Sequence, residues 1–411
     1  MMSLWDALRM NMMISYQELV RTFLNTVAKP GGNRCNLACR YCFYLENEVP
    51  RPGYATMDDL TLEAYIHNTI SSTPSQNVEF CWQGGEPTLC GLDFFAKVVE
   101  LQQRYRGNKI IANSLQTNGI LLNDKWARFL RRHGFLVGLS IDGPASLHDT
   151  WRTTGCGKPT WEKVVQAIRC LQQHDVPVNA MVVVSRQSAS QGKSLYRCLS
   201  RELNLHHLQF IPLVDSPAPW SVTPEGWGKF LCSVFDDWLE NDVGRVFIQY
   251  FDNLLGVWAG QPATLCTMQP VCGQSLLVEQ NGDVYSCDHF VSAEYKLGNL
   301  KQDAMAAMAS SPFQQQFGKQ KGQLSARCQG CHWRFACHGG CPKHRFTIHD
   351  DEAQNYLCSG YLAFFGHITP YMNVMRRLLL NCQPPALIMS LIPEIRQNIL
   401  QLTESEDERT K

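Results

Sequence analysis

Long uncharged apolar runs are missing from this 411-residue chain, and their absence limits where the protein can reside. The first twenty residues are rich in Met and Leu, but Asp6, Arg9 and Glu18 interrupt them. They therefore lack the continuous apolar core of a signal peptide. No later stretch is long and apolar enough to span a bilayer. We expect a cytoplasmic protein with no membrane partner.

The chain also lacks an excess of either charge. Its 37 Lys and Arg residues balance 37 Asp and Glu residues, and no polybasic run occurs. This balance argues against nucleic acid as a partner. No repeat at a fixed period is present, which excludes a solenoid. The length predicts one large domain plus a smaller one, and we expect a monomer.

Cysteine, in contrast, is abundant, with 18 residues. A disulfide framework is not expected in a compartment that keeps thiols reduced. Eleven of the cysteines form three groups, which are Cys35, Cys39 and Cys42, then Cys266, Cys272 and Cys287, and finally Cys328, Cys331, Cys337, Cys341 and Cys358. Thiolates at such short spacings bind one soft metal centre, and iron–sulfur clusters are the usual occupants. Structural zinc is the alternative for the third group, because C-x2-C pairs are common zinc ligands.

The first group has only three thiols, spaced C-x3-C-x2-C. Three cysteines leave one iron of a four-iron cluster without a protein ligand, so a substrate or cofactor can bind there. The three-cysteine group therefore predicts a cluster that takes part in a reaction and does not only store an electron. For the seven remaining cysteines we expect small, buried or half-buried packing residues. These are Cys81, Cys90, Cys156, Cys170, Cys198, Cys232 and Cys382.

Apolar runs alternate with amphipathic stretches between residues 78 and 214. Strands are predicted at 78–83, 110–116, 135–141, 176–184 and 205–214, and helices at 92–105, 124–134, 161–175 and 193–203. This alternation predicts an α/β fold with a parallel sheet. Ligands of such sheets bind at the carboxyl ends of the strands. The segments 83–87, 116–119 and 140–144 all follow strands.

Two later segments carry structural signals. Asn281-Gly282 separates two apolar runs and predicts a β-hairpin over residues 275–287, with Cys287 and Asp288 leaving its second strand together. A helix is expected around Phe230 to Glu240. The charged end of the chain predicts a frayed terminus, with at most a short helix after Cys382.

The run CNLACRYCFY at 35–44, followed by GGEP within WQGGEPT at 82–88, resembles the radical S-adenosylmethionine superfamily. The spacing C-x2-C-x5-C-x3-C, followed by Cys358, is similar to the SPASM extension of that superfamily. Together with QTNG at 116–119, SIDGP at 140–144, GDVYSCDHF at 282–290 and GGCPKHR at 339–345, these motifs resemble the anaerobic sulfatase-maturating enzymes.

The resemblance implies a fold. It predicts a partial (β/α)6 radical S-adenosylmethionine barrel over residues 25–255, after an N-terminal extension of residues 1–24. A cysteine-rich SPASM module with a β-hairpin and short helices is expected over residues 256–375, and a C-terminal tail over 376–411.

The resemblance also implies three [4Fe–4S] clusters. Cys35, Cys39 and Cys42 would bind the catalytic cluster, whose open iron chelates S-adenosylmethionine. Cys266, Cys272, Cys287 and Cys341 would bind one auxiliary cluster, and Cys328, Cys331, Cys337 and Cys358 the other. Auxiliary clusters with all four irons filled by protein fit electron transfer.

Further roles follow from matched positions in the family. The expected cofactor-binding residues are Tyr41, Gly84, Gly85, Glu86, Ser140, Asp142, Arg152 and Val214, and the expected substrate contacts are Tyr44 and Gln83. Asp142 can equally brace its loop, and Gly84 and Gly85 can serve as a tight turn. The segment 142–158 is long enough to help clamp a peptide.

Asp288 is the expected general base, because it directly follows a cluster ligand and would be held rigidly. A strand-end carboxylate that caps backbone N–H groups is the structural alternative. The implied reaction converts a Cys or Ser in a Cys/Ser-x-Pro-x-Arg motif of a sulfatase to Cα-formylglycine without oxygen. A flavodoxin- or ferredoxin-like protein would donate electrons.

Two other functions compete with this one. Another SPASM peptide maturase, forming a thioether or a crosslink, is an alternative within the superfamily. Such enzymes often carry an N-terminal peptide-recognition domain, and only about thirty residues precede Cys35. A non-catalytic iron–sulfur electron carrier is the alternative from another class, but a carrier needs no vacant iron.

Overall fold

The computed structural model describes residues 25–42, 44, 56–215 and 218–409, with side chains up to residue 401. The predicted N-terminal extension, residues 1–24, lies outside this part of the chain. Within the described ranges, no helix combines the length and the apolarity needed to cross a bilayer.

The strands and helices are numbered along the chain. The strands are β1 (Asn25–Lys29), β2 (Asn77–Trp82), β3 (Ile110–Thr117), β4 (Phe135–Ser140), β5 (Val178–Val184), β6 (His207–Pro212), β7 (Phe247–Ile248), β8 (Ser275–Glu279), β9 (Asp283–Tyr285), β10 (Lys296–Asn299), β11 (Thr347–His349) and β12 (Glu352–Gln354). The helices are α1 (Asp59–Ser72), α2 (Gly91–Tyr105), α3 (Asp124–Arg132), α4 (Ala145–Trp151), α5 (Trp161–Gln173), α6 (Gly192–Arg197), α7 (Pro224–Asn241), α8 (Gln249–Trp258), α9 (Met305–Ala309), α10 (Pro312–Gln320), α11 (Ala326–Gln329), α12 (Arg334–Cys337), α13 (Cys358–Leu380) and α14 (Ile388–Arg409).

The chain divides into two compact units that interleave along the sequence. Among the described residues, the strand-rich unit contains those in 25–183 and 270–323, and the helix-rich unit contains those in 184–269 and 324–409. Their limits differ from the predicted domain boundaries after residues 24, 255 and 375. Those boundaries stay a prediction.

The strand-rich unit is built on one twisted sheet, whose strand order is β10-β9-β8-β1-β2-β3-β4-β5. The strands β1 to β5 pair in parallel, with Val27 opposite Cys81 between β1 and β2. The α/β prediction is therefore confirmed. The predicted hairpin is also present as β8 and β9, and its turn residue Gly282 has φ of 88°. The strand β8 pairs in parallel with β1, so the hairpin extends the same sheet.

Side chains of the central strand β2 alternate between buried and partly exposed positions. In β2, Val78, Phe80 and Trp82 are buried while the residues between them are partly exposed, as expected for a strand that packs on one face. The indole N–H of Trp82 donates a hydrogen bond of 2.9 Å to Asn113 of β3. This bond satisfies the one polar atom of a large buried ring.

Helix ends follow capping signals in the sequence. The side chain of Asn123 accepts hydrogen bonds from the backbone of Lys125 and Trp126 and so starts α3. Gly134 lies just after α3 with φ of 65°, a backbone conformation that suits glycine at the end of a helix. Trp126 and Leu130 bury the apolar face of the helix.

The helix-rich unit packs α7 and α8 against α13. Gly228 of α7 meets Gly360 of α13 so closely that a Cβ on Gly228 would lie 2.8 Å from the Gly360 carbonyl oxygen. Phe235 then packs with Phe251 and Phe364. The predicted helix near residues 230–240 is confirmed as α7, which starts at Pro224 behind the capping residue Thr223.

The end of the chain differs from its prediction. A frayed terminus was expected, but the described residues form α14 up to Arg409. Ile388, Ile392 and Ile395 are buried at helical spacing, and this apolar face holds the helix in place. The charged residues between 404 and 409 continue the same helix.

The cysteines outside the three groups follow their prediction with two exceptions. Cys198 is buried, and Cys81, Cys90, Cys170 and Cys232 are half-buried. Cys156 and Cys382 are exposed, contrary to the expected packing role.

Candidate active site

The loop after β1 carries the first cysteine group. The Cys42 backbone N–H donates to the Cys39 carbonyl over 3.0 Å, and both thiols act electrostatically on Cys35. The Cys35 sulfur accepts from the Leu37 backbone N–H over 3.4 Å and lies 3.7 Å from the Asn118 side-chain amide. Neighbouring thiols with N–H groups directed at sulfur fit thiolate ligands of an iron–sulfur cluster.

The GGEP motif follows β2 and packs on this loop. Gly85 and Glu86 donate backbone hydrogen bonds of 2.8 Å to the carbonyls of Gly32 and Arg34. Gly85 leaves no room for a side chain, because a Cβ there would lie 2.1 Å from the Arg34 carbonyl oxygen, and Gly84 has φ of 125°. These glycines therefore make the close turn that was one of the two predicted roles.

Glu86 is buried beneath this turn. Its Oε1 accepts from the backbone and hydroxyl of Thr88, over 3.0 and 2.6 Å, and from the Thr117 hydroxyl over 2.7 Å. Its Oε2 accepts from the Asn118 backbone N–H over 2.7 Å. The carboxylate thus joins GGEP to the QTNG segment, and its observed contacts are structural. Cofactor contact by Glu86 stays a prediction.

Replacing Glu86 by Gln should lower the free energy of unfolding by about 3 kcal/mol, because one oxygen becomes an amide that faces hydrogen-bond donors. Thermal unfolding measured by circular dichroism tests this. Glu100→Gln is the matched control, since the Glu100 side chain is 67% exposed and should change stability by less than about 0.5 kcal/mol. Equal melting temperatures for the two variants would contradict the bracing role.

The Asp142 carboxylate, just after β4, accepts three hydrogen bonds from separate segments. Its Oδ2 accepts from the Tyr41 hydroxyl and from Arg152 Nε over 2.8 Å, and its Oδ1 accepts from the Val183 backbone N–H over 2.9 Å. The Arg152 guanidinium lies 5.4 Å from the centre of the Tyr41 ring. Three predicted cofactor residues are therefore brought together. Asp142 braces its loop, one of its two predicted roles, and a ribose contact stays a prediction.

The segment 142–158 was predicted to help clamp a peptide. In the structure it contacts the cysteine loop, since Ala38 and Arg40 donate backbone hydrogen bonds of 2.8 and 3.0 Å to the carbonyls of Thr153 and Trp151. A bridge between Leu37 and Thr154 continues this pairing. The observed role of the segment is to support the cluster loop, and the peptide clamp stays a prediction.

His148 lies fully buried inside this segment and was missed by sequence reasoning. Its Nδ1 accepts from the Asp142 backbone N–H over 3.3 Å, which leaves Nε2 protonated and 3.0 Å from the Thr160 hydroxyl. That hydroxyl donates to the Arg152 carbonyl over 2.6 Å. Burial lowers the pKa of His148 to about 4. The neutral ring therefore ties Asp142 and Arg152 together.

Stability should fall as pH decreases because of His148. The unfolded side chain binds a proton below a pKa of about 6.5, but the folded one does not until about 4, so the stabilisation present above pH 6.5 is lost on acidification. Between pH 7 and pH 5.5 the loss is about 1 kcal/mol. Melting temperatures at both pH values should show a smaller pH effect in His148→Gln than in the wild type. The control His67→Gln, at an exposed site, should behave as the wild type. An equal pH effect in His148→Gln would contradict this reading.

Asp288 follows the hairpin strand β9 and is 30% exposed. Gln83 Nε2 donates to its Oδ2 over 3.4 Å, and the Cys287 thiol donates to its Oδ1 over 3.4 Å. Partial burial raises the pKa of Asp288, but His289, Cys287, Gln83 and Lys29 together outweigh this and hold the pKa below its ordinary value. The carboxylate is therefore ionised at neutral pH.

Tyr44 and an ion pair that the sequence did not predict belong to the same part of the site as Asp288. Lys29, at the end of β1, lies 2.7 Å from Glu279 of β8 and is only 2% exposed. Its Nζ also stands 4.5 Å from the centre of the Tyr44 ring. Burial raises the pKa of Tyr44 well above its ordinary value, and Asp288 and Glu279 act in the same direction. Of the two predicted substrate residues, Gln83 thus lies beside Asp288, and Tyr44 is near enough for Asp288 to act on it electrostatically.

The remaining predicted residues fall in different places. Ser140 is buried at the end of β4 in the strand-rich unit, and Val214 is half-buried after β6 in the helix-rich unit. Cys272 and Cys287 belong to the strand-rich unit, while Cys266 and Cys341 belong to the helix-rich unit. The grouping of these four cysteines stays a prediction.

The other auxiliary group lies wholly in the helix-rich unit. Burial, together with the neighbouring thiols of Cys358, Cys328 and Cys331, raises the pKa of Cys337 to about 12. Cys358 responds in the same way to Cys328 and Cys331. Cys337 and Cys358, whose pKa values are raised, need a bound cation to become thiolates, which fits a metal cluster at these four neighbouring cysteines.

Comparison with known proteins gives consistent results. Residues 30–198 match the Radical SAM superfamily, and residues 266–332 match the SPASM iron–sulfur cluster-binding domain. A serine-type anaerobic sulfatase-maturating enzyme of Bacteroides thetaiotaomicron is 42% identical over 90% of this chain and 95% of its own length. A cysteine-type enzyme of Clostridium perfringens is 35% identical over 84% of this chain and 96% of its own length.

Solved structures agree with these relatives. Native anSMEcpe with bound AdoMet and the Cp18Cys peptide has a TM-score of 0.80 at 35% identity, covering 86% of this chain and 99% of the other. Streptococcus suis SuiB bound to S-adenosylmethionine has a TM-score of 0.59 at 14% identity, over 82% of this chain and 77% of the other, and shows the fold alone.

The fold and its cysteine loops therefore define a radical S-adenosylmethionine enzyme with a SPASM domain. Because the similarity to the curated relatives spans nearly their whole length, the chain belongs to the anaerobic sulfatase-maturating enzymes.

Proposed function

We propose that this chain converts a Cys or Ser within a Cys/Ser-x-Pro-x-Arg motif of a sulfatase to Cα-formylglycine. The observation that carries the proposal is the hydrogen bond between Gln83 and Asp288, with Tyr44 near enough for Asp288 to act on it electrostatically; the three residues come from separate segments. The names of the relatives support both target residues, since they include serine-type and cysteine-type enzymes. The peptide in the anSMEcpe structure supports a polypeptide substrate.

Three [4Fe–4S] clusters are proposed on the family pattern. Cys35, Cys39 and Cys42 would hold the catalytic one, and bound S-adenosylmethionine would there supply the radical that takes a hydrogen atom from the target Cβ. Cys328, Cys331, Cys337 and Cys358 would hold an auxiliary cluster, and Cys266, Cys272, Cys287 and Cys341 another. Clusters without an open iron would accept the remaining electron.

The proposed cofactor-binding residues remain Tyr41, Gly84, Gly85, Glu86, Ser140, Asp142, Arg152 and Val214. The Arg152–Asp142–Tyr41 contacts fix the wall beside the cysteine loop before the cofactor binds. A site that is already ordered loses less entropy on binding. We assign Glu86 to this ordering through its four hydrogen bonds.

Asp288 is the proposed general base. It would take the thiol or hydroxyl proton of the target residue while the electron leaves, so that a carbonyl forms at Cβ of Ser and a thiocarbonyl at Cβ of Cys. Water would then hydrolyse the thiocarbonyl to the aldehyde and release hydrogen sulfide. A lowered pKa keeps the carboxylate ready to accept this proton at neutral pH. The Gln83 amide donates to Oδ2 and so fixes the orientation of the carboxylate.

The buried Lys29–Glu279 pair supports this arrangement. The Lys29 ammonium places a positive charge near Asp288 and packs against the Tyr44 ring. A paired cation of this kind stabilises a nearby carboxylate without reacting with it. Lys29 is therefore a positioning residue for the base.

The electron donor, the oligomeric state and the cellular location are proposed as well. A flavodoxin- or ferredoxin-like protein is proposed as the electron donor, and a cytoplasmic monomer as the working form. Another SPASM peptide maturase is the competing function. The curated relatives at 42% and 35% identity are sulfatase-maturating enzymes and support sulfatase maturation over that alternative.

Deuterium at the target Cβ tests the proposed hydrogen abstraction. A Ser-x-Pro-x-Arg peptide labelled with two Cβ deuterons should give 5′-deoxyadenosine one mass unit heavier, measured by mass spectrometry. A peptide labelled at Cα is the matched control and should give unlabelled product. Label transfer from Cα instead would support a different peptide modification and contradict formylglycine formation.

A further inference from the structure

Three side chains with metal-binding chemistry meet on the surface of the strand-rich unit, at α3 and α5. They are Asp124, Cys170 and His174, and their ligand atoms all lie within 4.8 Å of one another. The Asp124 Oδ1 lies 3.5 Å from the Cys170 sulfur and 3.2 Å from His174 Nε2. None of the three has a role in the proposed reaction.

The local structure places these groups together. Cys170 and His174 are four residues apart at the end of α5, so their side chains lie on one face of the helix. Asp124 is the first residue of α3, directly after its capping residue Asn123. The helices α3 and α5 pack against each other, which brings the carboxylate to the thiol and the imidazole.

The two separations that involve Asp124 agree with one tetrahedral ion. With the usual zinc bond lengths, a tetrahedral site separates sulfur from oxygen by about 3.6 Å and nitrogen from oxygen by about 3.4 Å. The observed 3.5 and 3.2 Å are close to these values. We propose that Asp124, Cys170 and His174 bind one Zn²⁺ ion that links α3 to α5, with water as the fourth ligand.

The exposure of the three residues suits a metal site reached from solvent. Asp124 is 66% and His174 25% exposed, and Cys170 is half-buried. Binding would release the Cys170 proton to solvent, leaving a thiolate, a carboxylate and a neutral imidazole around the ion. Arg128, one turn further along α3, acts on both Asp124 and Cys170 and opposes a cation. The ion must therefore be held by direct ligation and not by the charge of the surroundings.

Zinc content tests the site in the holoenzyme. Enzyme with reconstituted clusters, incubated anaerobically with Zn²⁺ and desalted, should hold one zinc per chain more than Asp124→Asn, Cys170→Ser or His174→Gln. Iron, measured in the same samples by mass spectrometry, should be equal in all of them. Cys156→Ser is the matched control, because Cys156 is an exposed cysteine in the same unit. Equal zinc content in the wild type and Cys170→Ser would overturn the proposal.

Alkylation gives a second readout that does not depend on activity. Trypsin releases residues 170–186 as one peptide that contains both Cys170 and His174. Zinc should slow iodoacetamide modification of Cys170 at least about tenfold, because a metal-bound thiolate is shielded from the reagent. Cys156 should react at an unchanged rate, and His174→Gln should remove the protection of Cys170. If zinc leaves the Cys170 rate unchanged in the wild type, the three residues form only a hydrogen-bonded cluster.

Discussion

Replacing Asp288 by Asn should reduce formylglycine formation by about 10²- to 10⁴-fold, the usual contribution of a positioned general base. Asn keeps the shape of the side chain but cannot accept the substrate proton. Cleavage of S-adenosylmethionine should continue, because Asp288 is not among the residues of the cysteine loop. The measurement is the ratio of aldehyde to 5′-deoxyadenosine formed in one anaerobic reaction.

A carboxylate elsewhere in the strand-rich unit provides the control. Asp93→Asn changes an exposed residue in the first turn of α2 and should leave both products unchanged. If Asp288→Asn retains full aldehyde formation, Asp288 is not the base. Its role would then be that of a strand-end carboxylate.

Replacing Cys35, Cys39 and Cys42 together by Ala should abolish S-adenosylmethionine cleavage. The three sulfurs are neighbours on one loop, and no cluster with an open iron can form there without them. The auxiliary clusters should remain, so the protein should keep about two-thirds of its iron after reconstitution. Iron and 5′-deoxyadenosine measured on the same sample test both statements.

An exposed cysteine outside the three groups serves as the comparison. Cys156→Ala should retain full iron and full cleavage. Residual cleavage in the triple variant would show that the open-iron cluster is bound elsewhere. Loss of all iron would show that the clusters do not assemble independently.

Much of the strand-rich unit could be predicted, because its signals are local. The strands β2, β3 and β4 have apolar patterns over short windows, and the Asn-Gly turn of the β8–β9 hairpin is a two-residue signal. The motif after β2 also indicated where Gln83 lies, since parallel strands bring their carboxyl ends to one edge. That argument does not extend to Asp288, because β9 runs antiparallel to β8.

Strand pairings and side-chain contacts between distant segments could not be predicted from such local patterns. Nothing local indicates that β8 pairs with β1, or that Lys29 meets Glu279 across that pairing. Likewise, the sequence shows His148 only as a histidine within the segment 142–158. It does not indicate the hydrogen bond that His148 makes with Thr160, twelve residues later. Such roles depend on tertiary packing, which a single sequence does not specify.

The tail was predicted wrongly for a related physical reason. Its charged residues indicated a solvated end, but three isoleucines upstream are spaced for one helical face. Burial of that face stabilises α14, and the charged turns continue the helix. Composition near a terminus is therefore a weaker guide than the apolar spacing just before it.

The central claim is that the chain makes formylglycine on a sulfatase peptide. The most direct measurement is mass spectrometry of Cys-x-Pro-x-Arg and Ser-x-Pro-x-Arg peptides after anaerobic incubation with reconstituted enzyme, S-adenosylmethionine and a reductant. We expect an aldehyde at the target residue of at least one peptide, together with 5′-deoxyadenosine. Production of 5′-deoxyadenosine with no aldehyde on either peptide would contradict sulfatase maturation and indicate a different peptide substrate.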